Sequence, residues 1–126
     1  MKRTISTQDA PAAVGAYSQA TTNGDLVFTA GQIPMTPDGD LLDDEEIAVQ
    51  TRQSLENVKA ILEEEGLTMQ DVLKVSVFLD DIDDFDQMND TYQEYFQDNP
   101  PARSAVEVAN LPKGVGVEIE AIASGE

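Results

Sequence analysis

The run Val117-Glu118-Ile119-Glu120-Ala121-Ile122 sets an apolar residue at each odd position and a glutamate at two of the even ones. Successive side chains of a strand point to opposite faces. Val117, Ile119 and Ala121 therefore share one face, while Glu118, Glu120 and Ile122 share the other. A strand of this kind belongs in a sheet whose apolar face is covered by helices. The glutamates then point to the far face, where a carboxylate between subunits is costly unless it is paired or solvated. That makes Glu118 and Glu120 candidates for a site; the plainer reading is that they face water.

Upstream lies Pro100-Pro101-Ala102-Arg103-Ser104-Ala105-Val106-Glu107-Val108, where an arginine stands between a rigid proline pair and an apolar run. Arg103 is one of only seven Lys and Arg residues, against 25 Asp and Glu. Its planar donor fork suits carboxylates and phosphates. With glutamates on a neighbouring strand, Arg103 either holds a small carboxylate ligand or closes an internal Arg–Glu ion pair.

Further upstream the pattern supplies the remaining elements. Strands at Tyr17–Thr21 and Leu26–Ala30 flank Asn23-Gly24, a hairpin signal because both residues tolerate positive φ. Gly31-Gln32-Ile33-Pro34 ends the second strand, and Thr36-Pro37-Asp38-Gly39 is turn chemistry. Leu55, Val58, Ile61 and Leu62 recur at helical spacing between Ile47 and Glu65, with Gly66 as the stop. Val72–Leu79 reads as a strand buried on both faces. A second helix opens near Asp83 and runs to about Phe96, with Phe85, Met88, Tyr92 and Phe96 on one face. Ala105–Ala109 and Val115–Ala123 are the last strands, joined through Leu111-Pro112-Lys113-Gly114. The order is that of an α+β domain with two helices on one face of a mixed sheet. The other face needs a partner, and closed symmetric association is the usual answer.

The 126 residues fit one domain, 1–126, and the 40% hydrophobic content is spread in periodic segments. A net charge of −18 argues against nucleic acid and anionic membranes as partners. Few lysines and many aspartates fit a cytoplasm rich in salt, where the Debye length shrinks to about 3 Å and crowded carboxylates repel weakly. There is no cysteine and no histidine, which excludes disulfides, thiolate nucleophiles, imidazole bases and the usual zinc sites. No apolar run reaches transmembrane length and the N-terminus lacks a signal-peptide core, so the expected location is cytoplasmic.

The chain resembles the RidA/YjgF family of reactive-imine deaminases along essentially its whole length. The resemblance rests on six blocks in order: Ala10-Pro11-Ala12-Ala13-Val14-Gly15-Ala16-Tyr17-Ser18-Gln19-Ala20, Thr29-Ala30-Gly31-Gln32-Ile33-Pro34, Gln53 to Leu62, Val75-Ser76-Val77-Phe78-Leu79, Met88-Asn89-Asp90-Thr91-Tyr92, and Pro101-Ala102-Arg103-Ser104 through Val117-Glu118-Ile119-Glu120-Ala121. It implies a chorismate-mutase-like fold with a mixed six-stranded sheet. It also implies a homotrimer with ligand clefts between subunits, and no metal or organic cofactor. The implied reaction is hydrolysis of 2-iminobutanoate and 2-iminopropanoate to 2-oxo acids and ammonia.

The resemblance also implies roles. Arg103 grips the substrate carboxylate, and Glu118 positions or activates the attacking water, with Glu120 the second choice. Tyr17 holds the water or the imine nitrogen, although a tyrosine beside a hairpin also serves packing. The main chain at Gly31 adds a donor, or simply ends a strand. Carbonyls near Arg103 and Ala105 accept from the iminium N–H. Asn89 matches a position near the cleft, where ligand binding and helix-to-sheet bracing are equal readings. Two residues depart from the family pattern. Ala105 stands where many members carry cysteine, which removes thiol-dependent regulation. Ala30 stands where a hydroxyl residue is usual, which bears on turnover or substrate preference. The alternative from another class is a non-catalytic trimer that binds 2-oxo acids or acts as a holdase. A ribonuclease is disfavoured by the lack of histidine and of any basic stripe. A chorismate mutase is disfavoured by the lack of clustered cations.

Overall fold

The computed structural model describes residues 1–125; Glu126, the last residue of the expected 1–126 unit, lies outside the described residues. Strands β1 (Arg3–Ile5), β2 (Ala20–Thr22) and β3 (Leu26–Thr29) precede helix α1 (Ile47–Glu64). Strand β4 (Val72–Leu79), helix α2 (Phe85–Tyr95), β5 (Ala102–Glu107) and β6 (Val117–Ser124) follow. The strands form one mixed six-stranded sheet in the order β1-β2-β3-β6-β4-β5. β4 and β5 are parallel, because α2 crosses between them, and every other pair is antiparallel.

α1 forms where the spacing of Leu55, Val58, Ile61 and Leu62 predicts it, and all four are buried. Gly66 ends it at φ +78, with its N–H and that of Leu67 capping the carbonyls of Glu63 and Leu62 at 3.0 and 2.9 Å. Asp81 caps a short 3-10 turn (Ile82–Asp84) through the N–H of Asp83, and α2 continues from it. Met88, Tyr92 and Phe96 are buried beneath α2 and Phe85 is half-buried. These side chains meet Val75, Val77 and Leu79 of β4 and Val117, Ile119 and Ala121 of β6, so the core lies between the helices and one sheet face.

Several expectations are corrected. β4 is buried on one face only: Val75, Val77 and Leu79 are inaccessible, while Lys74, Ser76 and Phe78 on the far face stay partly exposed. An extra residue between Val72 and Lys74 breaks the register with β6 and turns Leu73 outward, 52% exposed. The first hairpin strand is Ala20–Thr22, not Tyr17–Thr21, because the chain turns at Gly15 (φ +115) and Gln19 spends its side chain on the arm before it. At the turn only Gly24 takes positive φ; Asn23 instead accepts from the N–H groups of Asp25 and Leu26 through Oδ1. The penultimate strand begins at Ala102 rather than Ala105, since parallel pairing with β4 starts at Lys74↔Ala102. β1 has no periodicity from which to be read; it is tied down by pairing with β2 and by the Arg3–Glu65 ion pair.

Candidate functional site

Register sorts the candidate residues onto two faces. Cross-strand partners point to the same side of a sheet. Val75 pairs with Arg103 and Val77 with Ala105, so Arg103 and Ala105 face the helices. Phe78 pairs with Glu118 and Ser76 with Glu120, so both glutamates face away from them. β4 lies between β5 and β6, so arginine and glutamates are not on adjacent strands as expected. Within one chain Arg103 and Glu118 project from opposite faces of the sheet.

On the helix side, Arg103 donates from Nη1 to Asn89 Oδ1 at 2.7 Å. Its guanidinium carbon lies 4.6 Å from the ring centre of Tyr92 and 5.3 Å from that of Phe85. The internal Arg–Glu ion pair is absent: among the described residues the ion pairs are Arg3–Glu65 and Arg52–Glu94, and neither involves Arg103. Asn89, Tyr92, Gln93, Phe96, Gln97, Pro100, Pro101 and Arg103 line a cleft of about 590 Å³.

On the far side, Glu118, Gly31, Ala30 and Tyr17 line a second cleft of about 680 Å³ with Val14, Ile33, Met35 and Lys113. A Cβ built on Gly31 would lie 2.8 Å from Glu118 Cδ and closer still to Oε2, so only glycine lets that carboxylate lie against the main chain. The Gly31 N–H donates to no group among the described residues, whereas Ala30 and Gln32 pair with the carbonyls of Gln19 and Ile119. Burial first, and the charge of Glu120 second, push the Glu118 carboxyl above its ordinary value. Tyr17 is 55% exposed at the mouth of this cleft. Ala105 packs against the core and lines neither cleft.

Three buried amides that sequence reasoning passed over shape the second cleft. Gln19 accepts from Thr7 N–H at 2.7 Å and donates to the carbonyl of Pro11 at 2.8 Å, folding the 7–12 arm against the cleft. Asn57 donates to the carbonyls of Ile33 and Met35 at 3.2 and 2.9 Å, fixing the opposite wall. Gln50 accepts from Gly116 N–H at 2.8 Å and donates to Glu45 O at 2.7 Å, anchoring the turn that leads into β6. Each bond spans at least five residues of chain, so no local pattern announces it. Phe85 and Tyr92 fall on the buried stripe of the second helix, a pattern that accounts for packing and carries no sign of their contact with Arg103. Among the described residues no three His, Cys, Asp or Glu side chains converge to hold a metal ion, and no helix is long and apolar enough to cross a membrane.

Comparison with known proteins adds findings of three kinds. The family model described as endoribonuclease L-PSP matches residues 7–124. A RutC family protein of Pyrococcus horikoshii is 52% identical over 126 residues, all of both chains. The 2-iminobutanoate/2-iminopropanoate deaminase of Escherichia coli is 50% identical over 127 residues, covering 98% of each. Among solved structures, E. coli TdcF with bound serine superposes with a TM-score of 0.93 at 45% identity, covering 98% of this chain and 99% of that one. The E. coli YjgF gene product does so with a TM-score of 0.93 at 47% identity, with the same coverage.

Proposed function

Since this chain belongs to the endoribonuclease L-PSP (RidA/YjgF) family, we propose that it acts as its named deaminase relatives do, hydrolysing 2-iminobutanoate and 2-iminopropanoate to the 2-oxo acids and ammonia. One observation carries the assignment of the site. In a chain with 25 Asp and Glu, the Arg103 fork has no carboxylate within ion-pairing distance among the described residues. An arginine so kept suits a carboxylate supplied by a ligand. TdcF, a structural neighbour, carries bound serine, itself a small 2-amino carboxylate.

In this reading Arg103 holds the substrate carboxylate and the Gly31 N–H adds a donor. Glu118 takes a proton from water as its oxygen bonds to the imine carbon. The same proton then goes to nitrogen; the C–N bond breaks and ammonia leaves as the hydroxyl proton passes to the Glu118 carboxylate and the carbonyl forms. Its raised pKa suits a group that must both accept and return a proton. Tyr17 orients the water or the imine nitrogen, and carbonyls near Arg103 and Ala105 accept from the iminium N–H. The protonated imine is already electrophilic, so orientation and a placed water are the main requirements.

Arg103 and Glu118 leave opposite faces of one sheet, so the reading takes them from two copies of the chain, in a homotrimer with clefts between subunits. The uncovered sheet face, with Phe28 and Val106 exposed on it, gives such an assembly apolar surface to bury. The reading also places the protein in a salt-rich cytoplasm. Despite the family description, an endoribonuclease role is disfavoured by a net charge of −18 and the absence of histidine.

The test is hydrolysis of 2-iminobutanoate, generated in situ and trapped with semicarbazide at molar salt, by wild type, Arg103→Ala and Glu118→Gln. Both variants should lose the acceleration, and a mixed assembly of the two should regain part of it, because some clefts then receive an intact Arg103 and an intact Glu118. No acceleration by folded wild type would move the reading to a 2-oxo-acid-binding protein. Mixed assemblies as inactive as either parent would refute the two-copy site.

A further inference from the structure

The three arginines of this chain are held in two different ways. Arg3 pairs with Glu65 and Arg52 with Glu94, the latter at 2.9 Å, both near the surface. Arg103 rests on Phe85, Asn89 and Tyr92, which are four and three residues apart and so form one stripe of α2. Aromatic faces attract a cation without occupying its N–H donors. The Asn89 oxygen takes one donor, leaving the rest of the fork free. A carboxylate in the same place would compete with any anionic ligand for the guanidinium, and with 25 Asp and Glu in the chain its absence here is a selective feature.

Tyr92 adds a second observation. It is buried, 4% exposed, and its hydroxyl has no hydrogen-bond partner among the described residues. The usual reason for a buried tyrosine rather than phenylalanine is therefore missing, and what Tyr92 presents to Arg103 is its ring.

We propose that Phe85, Asn89 and Tyr92 are positioning residues for the deaminase reaction, forming a charge-neutral cradle that orients the Arg103 fork and keeps it unpaired until an anionic substrate arrives. The inference rests on the reading of Arg103 as the carboxylate grip. Because the cradle acts on binding, its loss raises KM and leaves kcat largely intact, which a merely structural role would not do.

The experiment measures KM and kcat for 2-iminobutanoate, and the dissociation constant of 2-oxobutanoate by calorimetry, on assembled protein. Its variants are Asn89→Asp, Phe85→Leu, Tyr92→Leu and Tyr92→Phe, with Arg103→Ala as reference. Asn89→Asp keeps the side-chain shape but supplies a counter-ion, and should raise KM and the dissociation constant at least about tenfold while kcat stays within about threefold. Phe85→Leu should raise both by about fivefold, within the range of one cation–π contact. Tyr92→Phe keeps the ring and should stay within about twofold of wild type, where Tyr92→Leu does not. Should Tyr92→Leu fail to fold, Asn89→Asp and half-buried Phe85→Leu still decide the matter. The cradle is overturned if those two leave KM and the dissociation constant unchanged while Arg103→Ala loses the hydrolysis and raises the dissociation constant. Unchanged values in Arg103→Ala itself would overturn the carboxylate grip, and the cradle with it.

Discussion

Adding one methyl group at Gly31 tests the placement of Glu118 more sharply than removing the carboxylate. In Gly31→Ala the new Cβ would fall 2.8 Å from Glu118 Cδ and 3.1 Å from Cγ. Carbon atoms sit comfortably at about 3.5–4.0 Å, so the carboxylate must withdraw by roughly 1 Å. A misplacement of that size costs about a hundredfold in rate when geometry matters. Stability should change little, by about 1 kcal/mol or less, because Gly31 is not among the glycines at positive φ and the displaced atoms end a flexible side chain. The assay is semicarbazide-trapped hydrolysis of 2-iminobutanoate beside a thermal melt of the same preparation. In a Glu118→Gln background the substitution should cost almost nothing further, since it acts through a group already disabled. A folded Gly31→Ala protein with kcat/KM within about threefold of wild type would refute the assignment of Glu118.

Other consequences are as direct. Glu118 must be ionised to draw a proton from water, so activity rises with pH through its raised pKa, and Glu120→Gln, by removing the like charge, should move the acid limb of the kcat/KM profile downward. Stability runs the opposite way: a raised folded pKa favours the protonated form, so the Glu118 contribution is fully present below its ordinary pKa and lost as pH rises through the folded one, a slope that Glu118→Gln should remove from urea titrations. Asn57→Ala frees the carbonyls of Ile33 and Met35 and should destabilise by about 1–3 kcal/mol in denaturant melts while raising KM. Sedimentation from molar salt down to about 0.01 M, where the Debye length grows to about 30 Å, should show the proposed assembly separating or unfolding; a sedimentation profile unchanged by salt would refute the salt-adaptation reading.

Much of the fold was legible because the long elements carry one dominant period. β4 has the bounds its apolar run predicts, α1 ends at the glycine that marks its stop, and the alternation of β6 sorts its faces correctly. Short elements resist such reading. β1 has three residues and owes its existence to β2. Strand order resists it too: no local pattern says that β6 inserts between β3 and β4, and that order leaves β4 between Arg103 and Glu118, while register sends the two to opposite faces. Sequence reasoning singled out both residues, but it placed them on neighbouring strands. The pattern of the second helix leaves Asn89 open to ligand binding or to bracing, and its 2.7 Å bond to Arg103 runs from α2 to β5, a brace that ends on a candidate site residue.

The two halves of the proposed site stand in different relation to the chain's accumulated charge. A guanidinium seated on two rings and an amide asks nothing of acidic neighbours, so the outer surfaces of the helices can gain or lose carboxylates without retuning it. Glu118 already shares its face with Glu120 and feels any further negative charge placed there. Surface charge is therefore free to drift on one side of the sheet and constrained on the other. A lineage moving between saline and dilute habitats has a broad region over the helices in which to adjust its solubility, and a narrow one around β6 in which each such change would be felt by the chemistry.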